Sequence, residues 1–451
     1  MTQNSAKRTG LLLALFGAAL LAQSPDITTW VKGVGGKPRL ATIDFRGSGS
    51  QEFMAAFNST LFNDLTNSGV FDMVPKGMQP LNTPQRAEDL KPTDGNGLAL
   101  QDWLRAPTQA THLAFGYTAA ANGVLVLYGN LDDVRQTNPQ SAQLFNRRYT
   151  GSLDNAGATK AAHEYANDII QQLGGQGSLL GSRIYFASSR NSKTNDWEIW
   201  AMDWDGNNQQ QLTKLNSLTT MPNVSPDGTR LAYTTWAYGR PRIGMVSTST
   251  GRAVNFYNQE ASLNANVTFT PDGKQVYYSS TANEDLSQIF VASLDGSGFK
   301  RVTYRKAICA EPKVNPKNPS QLLIVSGPGP EQIYSMTSEG GNIERLTNGE
   351  GEASNPSWHP DGQHMAFAWT RGFATGGFNI FVMDVGTRQY IQLTHNEGKN
   401  ENPGWAPDGR HLVFTSTRSG RPQIYTMLAD GSQVKLLTSQ GNNKSPVWGI
   451  Q

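Results

Sequence analysis

The stretch that decides the fold is Asn402-Pro403-Gly404-Trp405-Ala406-Pro407-Asp408-Gly409. It is followed by the apolar run Leu412-Val413-Phe414, a second apolar run around Ile424, the dipeptide Asp430-Gly431 and the pair Leu437-Thr438. Pro presets the first dihedral of a turn and Gly accepts positive φ, so Pro-Asp-Gly and Asp-Gly both predict tight turns between strands. The stretch therefore predicts a meander of four short antiparallel strands.

This unit is repeated along the second half of the chain. The glycine of its later turn recurs every 45 residues, at Gly206, Gly251, Gly296, Gly341, Gly386 and Gly431. Pro-Asp-Gly recurs at 226–228, 271–273 and 360–362, and in altered form at Asn315-Pro316-Lys317-Asn318. A meander of this length cannot bury both faces alone, and four strands per repeat predict the radially stacked blades of a β-propeller.

The two ends of the repeated region indicate how the ring closes. The first unit lacks an inner strand and begins at Arg183-Ile184-Tyr185-Phe186, whereas the chain finishes on an inner strand at Ser445-Pro446-Val447-Trp448. The two pieces complete one blade, which predicts six blades and a ring closed by pairing of its first and last strands.

The rest of the chain divides by composition and periodicity. Alternating helical and strand patterns upstream predict a small α/β domain, and glycines before and after it predict flexible connections. The expected organisation is a signal peptide at 1–22, a flexible N-terminal arm at 23–37, an α/β domain at 38–174, a linker at 175–180 and an all-β six-bladed propeller at 181–451.

The net charge of the chain and the composition of its first 22 residues indicate its compartment and its class of partner. Lys7 and Arg8 precede an apolar run over 11–21, with Ala22 as a small residue at its end, which predicts a cleaved secretory signal and a periplasmic protein. The mature protein is expected not to insert into a membrane. The net charge of +2 does not indicate nucleic acid as a partner, and the single Cys309 can form no internal disulfide.

Motifs for catalysis, cofactors or metals are not evident. The sequence has neither a GxxxxGK[ST] phosphate loop nor a GxSxG elbow. Six histidines, at 112, 163, 359, 364, 395 and 411, are scattered among different elements, so we expect no metal site and no cofactor. Two function classes stay open: a binding platform without catalytic residues, and a propeller enzyme with a cryptic channel site of the metal-dependent, lactonase-like hydrolase type.

Several phrases of the sequence resemble the TolB family of the Tol-Pal envelope system. They are the run Gly33-Val34-Gly35-Gly36-Lys37-Pro38-Arg39 with the strand that follows it, Leu65-Thr66-Asn67-Ser68-Gly69-Val70-Phe71, and Ser416-Thr417-Arg418 with the Gln423-Ile424-Tyr425 strand. Together with the propeller repeats they cover most of the chain.

The resemblance implies a periplasmic, non-enzymatic scaffold that binds the peptidoglycan-associated lipoprotein Pal and the protein TolA. Such a scaffold supports outer-membrane integrity and constriction at cell division. The implied Pal surface lies at the channel mouth of the propeller, where the loops bring Asn264, Glu311, Asn355, Asn400, Glu401 and Lys444. The implied TolA contact is the arm, whose apolar residues are Ile27, Trp30, Val31 and Val34.

Overall fold

The computed structural model describes residues 27–32, 36–93, 95–174, 179–191, 196–282, 284–372, 376–395 and 397–450. The signal peptide predicted at 1–22, Val34 of the arm and most of the predicted linker lie outside the described residues. A small α/β domain precedes six β-sheets arranged as a propeller, which confirms the predicted fold class.

The α/β domain is built on one mixed sheet. Its strands are β1 Arg39–Thr42, β2 Gly47–Ser48, β3 Asp72–Met73, β4 His112–Ala121, β5 Val124–Asp133 and β6 Gln143–Ser152. The helices are α1 Ile27–Lys32 in the arm, α2 Met54–Asn67, α3 Leu100–Leu104, α4 Pro139–Ala142 and α5 Asn155–Gly174, with 3₁₀ turns at Gln51–Phe53, Lys76–Met78 and Ala87–Asp89. The strand order is β3-β1-β4-β5-β6, parallel from β3 to β4 and antiparallel beyond, and β2 pairs with β4.

Alternate residues of the internal strand β1 enter different cores. Leu40 packs with α2 and α5 on one face of the sheet, whereas Ala41 packs with Trp103 of α3 on the other. Successive side chains of a strand point to opposite faces, so one strand can hold both layers together. The helical spacing of Phe57, Leu61 and Leu65 in the sequence predicts a helix over 54–67, and α2 has these bounds. The spacing of apolar residues over 156–173 likewise predicts a helix, which is α5.

The propeller consists of six sheets, and the last strand of the chain pairs with the first strand of the propeller. The closing sheet contains β7 Arg183–Ser188, β8 Glu198–Asp203, β9 Gln210–Gln211 and, at the chain end, β29 Asn443–Gly449. Blade 1 is β10 Thr219–Val224, β11 Arg230–Thr235 and β12 Arg242–Ser247; blade 2 is β13 Asn264–Phe269, β14 Gln275–Ser280, β15 Gln288–Ser293 and β16 Lys300–Arg301. Blade 3 is β17 Ile308–Val314, β18 Gln321–Gly327, β19 Gln332–Thr337 and β20 Glu344–Arg345; blade 4 is β21 Ala353–Trp358, β22 His364–Trp369, β23 Asn379–Asp384 and β24 Tyr390–Gln392. Blade 5 is β25 Asn400–Trp405, β26 His411–Ser416, β27 Gln423–Leu428 and β28 Lys435–Leu436.

The Leu-Thr signature of the repeat has a structural cause. In blade 5 the Thr438 hydroxyl accepts a hydrogen bond from the Ile424 amide at 2.9 Å and donates one to the Gln423 side chain at 2.7 Å. Thr347 makes the same two bonds in blade 3. A buried polar group must be paired, so each threonine ties the outer edge of its blade to the third strand.

The α/β domain lies at one end of the propeller. Because each blade is a meander, the Pro-Asp-Gly turns and the later Asp-Gly turns share this end, which we call the turn end; the inner strands begin at the opposite, entry end. At the turn end, His411 Nε2 lies 2.7 Å from the Asn67 carbonyl oxygen. A Cβ added at Gly69 would lie 2.7 Å from Leu428, so the two domains pack closely. Within the described residues, none of the helices combines the length and apolar character needed to cross a bilayer.

Candidate functional site

The inner strands of all six blades share a bulge that faces the central channel. Each contains one residue in the left-handed region, with φ between 50° and 56°: Met221, Asn266, Glu311, Asn355, Asn402 and Ser445. The strand register shifts at each of these positions. Asn tolerates this conformation best among residues with a Cβ, which explains its use in three of the six blades. The bulge turns a backbone amide away from the strand pairing, so it needs another acceptor.

Blades 4 and 5 satisfy these amides with side chains from the preceding blade. The Asn355 backbone and side-chain nitrogens donate to the Glu311 carboxylate at 2.7 and 3.0 Å. The Asn402 amide donates to Asn355 Oδ1 at 3.3 Å. Glu311 and Asn355 were expected to be partner-binding residues, but their polar atoms are used to join neighbouring blades around the channel.

The channel encloses a cavity of about 250 Å³. Of the described residues that line it, Glu311 and Lys313 are the charged ones. Burial raises the pKa of the Glu311 carboxyl, although Lys313 and Asn355 oppose this shift. Burial likewise lowers the pKa of the Lys313 ammonium, with Glu311 opposing. The cavity therefore offers one carboxylate and one ammonium on a wall formed mainly by small and polar residues.

The remaining channel-mouth candidates lie at the entry end in different environments. Asn264 and Asn400 are 2% and 0% exposed, and their side chains donate to the Gln259 and Gly398 carbonyl oxygens of the preceding loops, so neither is exposed at the channel mouth as expected. Each is the first residue of an inner strand, and its side-chain amide closes the loop that precedes this strand by a hydrogen bond. Glu401 is partly exposed and pairs with Lys399 at 2.7 Å. Lys444 is exposed, with its Nζ 5.2 Å from the centre of the Trp197 ring.

The arm contains an ordered helix that docks at the turn end of the propeller. The sequence predicts an irregular arm because six residues are too few for helical periodicity, yet α1 lies against β24 of blade 4. Ile27 is 4% exposed and enters the core between blades 4 and 5. The Trp30 indole stacks on the His364 imidazole with ring centroids 3.7 Å apart and an interplanar angle of 14°. Burial of these two side chains holds the helix in place.

Beneath Trp30 lies a cluster that the sequence analysis missed. His359 and His364 flank the Pro-Asp-Gly turn of blade 4 and face each other across it, with the His359 amide donating to the His364 carbonyl oxygen at 2.8 Å. Asp361 Oδ2 lies 2.9 Å from His359 Nδ1 and 2.7 Å from His364 Nδ1. The expectation of scattered histidines is wrong for this pair. The signal that could have found them is His-x-Asp-x-x-His across a predicted two-strand turn.

The charge state of Asp361 follows from these contacts. Burial by itself would raise the pKa of the Asp361 carboxyl. The imidazoles of His359 and His364 beside the carboxylate outweigh burial and hold the pKa of Asp361 well below its usual range. Asp361 is therefore an anion at the centre of two imidazoles.

Comparison with known proteins gives consistent similarities. A protein-family model described as the TolB beta propeller domain matches residues 170–371 and 344–451. A curated "Protein TolB homolog" from Chlorobium chlorochromatii is 30% identical over 258 residues, which are 57% of this chain and 46% of the relative. The chain thus spans about half the length of that relative. The "Tol-Pal system protein TolB" of Bordetella pertussis is 27% identical over 348 residues, covering 73% of this chain and 72% of the relative.

A solved structure is similar over both domains. The crystal structure of TolB from Acinetobacter baumannii matches with a TM-score of 0.75 and 21% identity, covering 92% of this chain and 98% of that one. At this identity the likeness shows a shared fold.

Proposed function

Since the chain belongs to the TolB β-propeller family, we propose that it is a non-enzymatic periplasmic scaffold of a Tol-Pal envelope system. It binds the lipoprotein Pal at the entry end of the propeller and TolA through its N-terminal arm. Through these contacts it supports outer-membrane integrity and cell division. The predicted signal peptide supports export to the periplasm.

The observation that carries this proposal is the docking of the arm through Ile27 and Trp30. Trp30 is partly exposed although it stacks on His364, and it is held by a helix of six residues. A helix this short is marginal without its packing partner, so the arm can exchange its own propeller for another protein at low cost. A segment with this property suits a binding partner that must be engaged and released.

The channel supports a binding role better than a hydrolytic one. Metal-dependent hydrolysis needs several oxygen or nitrogen ligands around one ion. Glu311 is the one carboxylate among the described residues that line the cavity, and it is committed to Asn355. We therefore favour the scaffold over the alternative of a lactonase-like channel enzyme.

The two proposed partner surfaces lie at opposite ends of the propeller. Glu401 and Lys444 are near the starts of β25 and β29 at the entry end, whereas Trp30 docks at the turn end. Inner strands of six or seven residues separate the ends by roughly 20 Å. Any coupling of Pal binding to arm docking must therefore pass along the blades. The Glu311–Asn355–Asn402 hydrogen bonds join blades 3, 4 and 5 around the channel, so they tie together the blades between which the arm docks.

Pal binding is tested by calorimetry with the Pal domain of the same organism. We expect the double charge reversal of Glu401→Lys with Lys444→Glu to weaken binding at least about tenfold, because a reversed charge in an interface leaves its counter-charge unpaired. Glu339→Lys is the matched control, since Glu339 is exposed in the β19–β20 turn at the opposite end. Equal Pal affinity for wild type and the double variant would move the Pal surface elsewhere.

TolA binding is tested by comparing the mature protein with a version that starts at Lys37. The shortened protein is expected to lose TolA binding and to bind Pal with a changed affinity, because coupling between two sites is reciprocal. Retained TolA binding together with unchanged Pal affinity would contradict the role of the arm.

A further inference from the structure

The His359–Asp361–His364 cluster exceeds what its turn requires. In blades 1 and 2 the position of His359 is occupied by Ser225 and Thr270, whose hydroxyls donate to Asp227 and Asp272 at 2.5 and 2.6 Å. A hydroxyl is thus sufficient to support a Pro-Asp-Gly turn. In blade 5 one imidazole, that of His411, lies 2.7 Å from the turn carboxylate of Asp408, so a single histidine is also sufficient. Two imidazoles on one carboxylate exceed both arrangements and add a second nitrogen ligand.

The hydrogen bond made by His359 Nε2 determines the tautomer of the ring. It decides whether Nδ1, the nitrogen that faces Asp361, has a proton or a lone pair. Nε2 lies 2.8 Å from the Gly409 carbonyl oxygen, which can only accept, so Nε2 has the proton. Nδ1 of the neutral ring is then unprotonated, 2.9 Å from the Asp361 Oδ2 anion. The Asp361 amide, 3.1 Å from Nδ1, offsets part of that repulsion. Two lone pairs at this distance call for a cation between them, which is either an added proton or a metal ion.

His364 presents the same orientation. Its Nδ1 lies 2.7 Å from Asp361 Oδ2, and its Nε2 lies 3.7 Å from Asp384 Oδ2. A carboxylate behind the second ring nitrogen is the usual outer partner of a histidine that binds a metal, because it stabilises the proton on the nitrogen that does not bind. The Gly409 hydrogen bond therefore orients His359 Nδ1 toward Asp361, and the Asp384 carboxylate, at an ion-pair distance beyond hydrogen-bond reach, favours the same orientation of His364.

We propose that His359 Nδ1, His364 Nδ1 and Asp361 Oδ2 bind one divalent transition-metal ion, with Zn²⁺ as the natural occupant. One ligand atom from each of the three residues lies within 4.8 Å of the others. Two imidazoles and a carboxylate form a ligand set that suits Zn²⁺ at bond lengths of about 2.0–2.2 Å after small side-chain movements. A water molecule completes the tetrahedron.

The site lies under the docked arm, so the ion stabilises the surface on which Trp30 packs. The Trp30 ring covers the His364 face and meets the His359 edge with centroids 5.0 Å apart. An ion that immobilises both imidazoles favours arm docking, and a docked arm favours the ion. This inference concerns the metal site alone and does not depend on the identity of the arm's partner.

The test is calorimetric titration of the full chain with Zn²⁺, using protein purified without a polyhistidine tag. We expect one ion per chain, and a Co²⁺ derivative with the visible absorption of a low-coordinate site. His359→Ser and His364→Gln should each weaken binding by at least about tenfold, the loss produced even by removal of an outer partner. Ser225 and Gln275 occupy the equivalent positions in other blades, so both variants are compatible with the turn.

Two further variants make the test specific. His395→Gln, at an exposed histidine, should bind Zn²⁺ as wild type does. Asp384→Asn should weaken binding about 10- to 100-fold and remains informative if either histidine variant fails to fold. Lack of stoichiometric Zn²⁺ binding to wild type would overturn the proposal. So would equal binding by wild type and by folded variants of His359, His364 and Asp384; a proton would then be the cation between the rings.

Discussion

The indole of Trp30 lies parallel to the imidazole of His364, with ring centroids 3.7 Å apart, and so joins the N-terminal arm to blade 4. The homologous histidine of blade 5, His411, contacts the α/β domain instead, through the Asn67 carbonyl oxygen. Each histidine follows a Pro-Asp-Gly turn. Its Nδ1 lies 2.7 Å from a carboxylate oxygen of the turn aspartate, and this contact fixes the orientation of the ring. Two copies of one repeat position thus hold two different segments at the turn end.

The arm should be released when its aromatic anchor is removed. Trp30→Ala eliminates the stack on His364 and most of the apolar area that a six-residue helix can bury, so trypsin should cleave after Lys32 at least about tenfold faster than in wild type. Thr28→Ala, at an exposed position of the same helix, is the control. Equal cleavage rates for the Trp30 variant and wild type would mean that other contacts hold the arm.

The pairing of β29 with β7 should dominate the stability of the propeller. Trp448 is 6% exposed, pairs with Ile184 and donates from Nε1 to Ser182 Oγ at 2.8 Å. Trp448→Ala should lower the free energy of unfolding by about 3–5 kcal/mol, and deletion from Ser445 onward by more. The measurement is urea denaturation, with Ile450→Ser as a control because Ile450 is 46% exposed. An unchanged unfolding midpoint in the deletion variant would refute closure through this strand.

Glu311 should contribute to stability through its hydrogen bonds and not through its charge. Glu311→Ala leaves the Asn355 amide and side-chain nitrogen without their acceptor, which should cost about 1–3 kcal/mol. Glu311→Gln keeps an acceptor oxygen and should cost less. The matched control is Glu401→Ala, because the half-exposed pair with Lys399 should contribute only about 0–1 kcal/mol. Urea denaturation separates them, and equal losses in the Ala variants would contradict the interblade role.

Asp132 should make the α/β domain less stable as pH rises. Burial raises the pKa of Asp132 from its ordinary 3.8 to about 7, and its Oδ1 has no hydrogen-bond partner among the described residues. A folded-state pKa above the unfolded value means that stability is full below pH 3.8 and is lost as pH rises through about 7. The loss is on the order of 4 kcal/mol.

The measurement is the unfolding free energy of wild type and Asp132→Asn at pH 5 and pH 8. The neutral amide should stabilise the protein more at pH 8 than at pH 5, because only the carboxylate has a charge to bury. A difference between the two proteins that does not change with pH would show that the Asp132 charge is compensated.

The 45-residue repeat is the feature of the sequence from which the propeller could be predicted. Pro-Asp-Gly, Asp-Gly and Leu-Thr act within one blade, through turn dihedrals and through hydrogen bonds such as that from the Ile424 amide to Thr438, so their repetition predicts the number and order of blades. The helix at 54–67 was predictable for the same reason, since its apolar spacing is local. These features depend on neighbours within about one repeat.

Only the tertiary structure decided which of the repeated positions are buried or contact a neighbouring blade or the arm. Asn400 looks like a loop residue in the sequence and is buried, and Glu311 looks like a free surface charge and is the acceptor for a neighbouring blade. The arm is helical because Ile27 and Trp30 pack on blades 4 and 5, against residues that are more than 300 positions away in the sequence. Sequence periodicity reports a residue's own strand, whereas burial and hydrogen bonding here are set by the adjacent blade or the docked segment, and no local pattern encodes that neighbour.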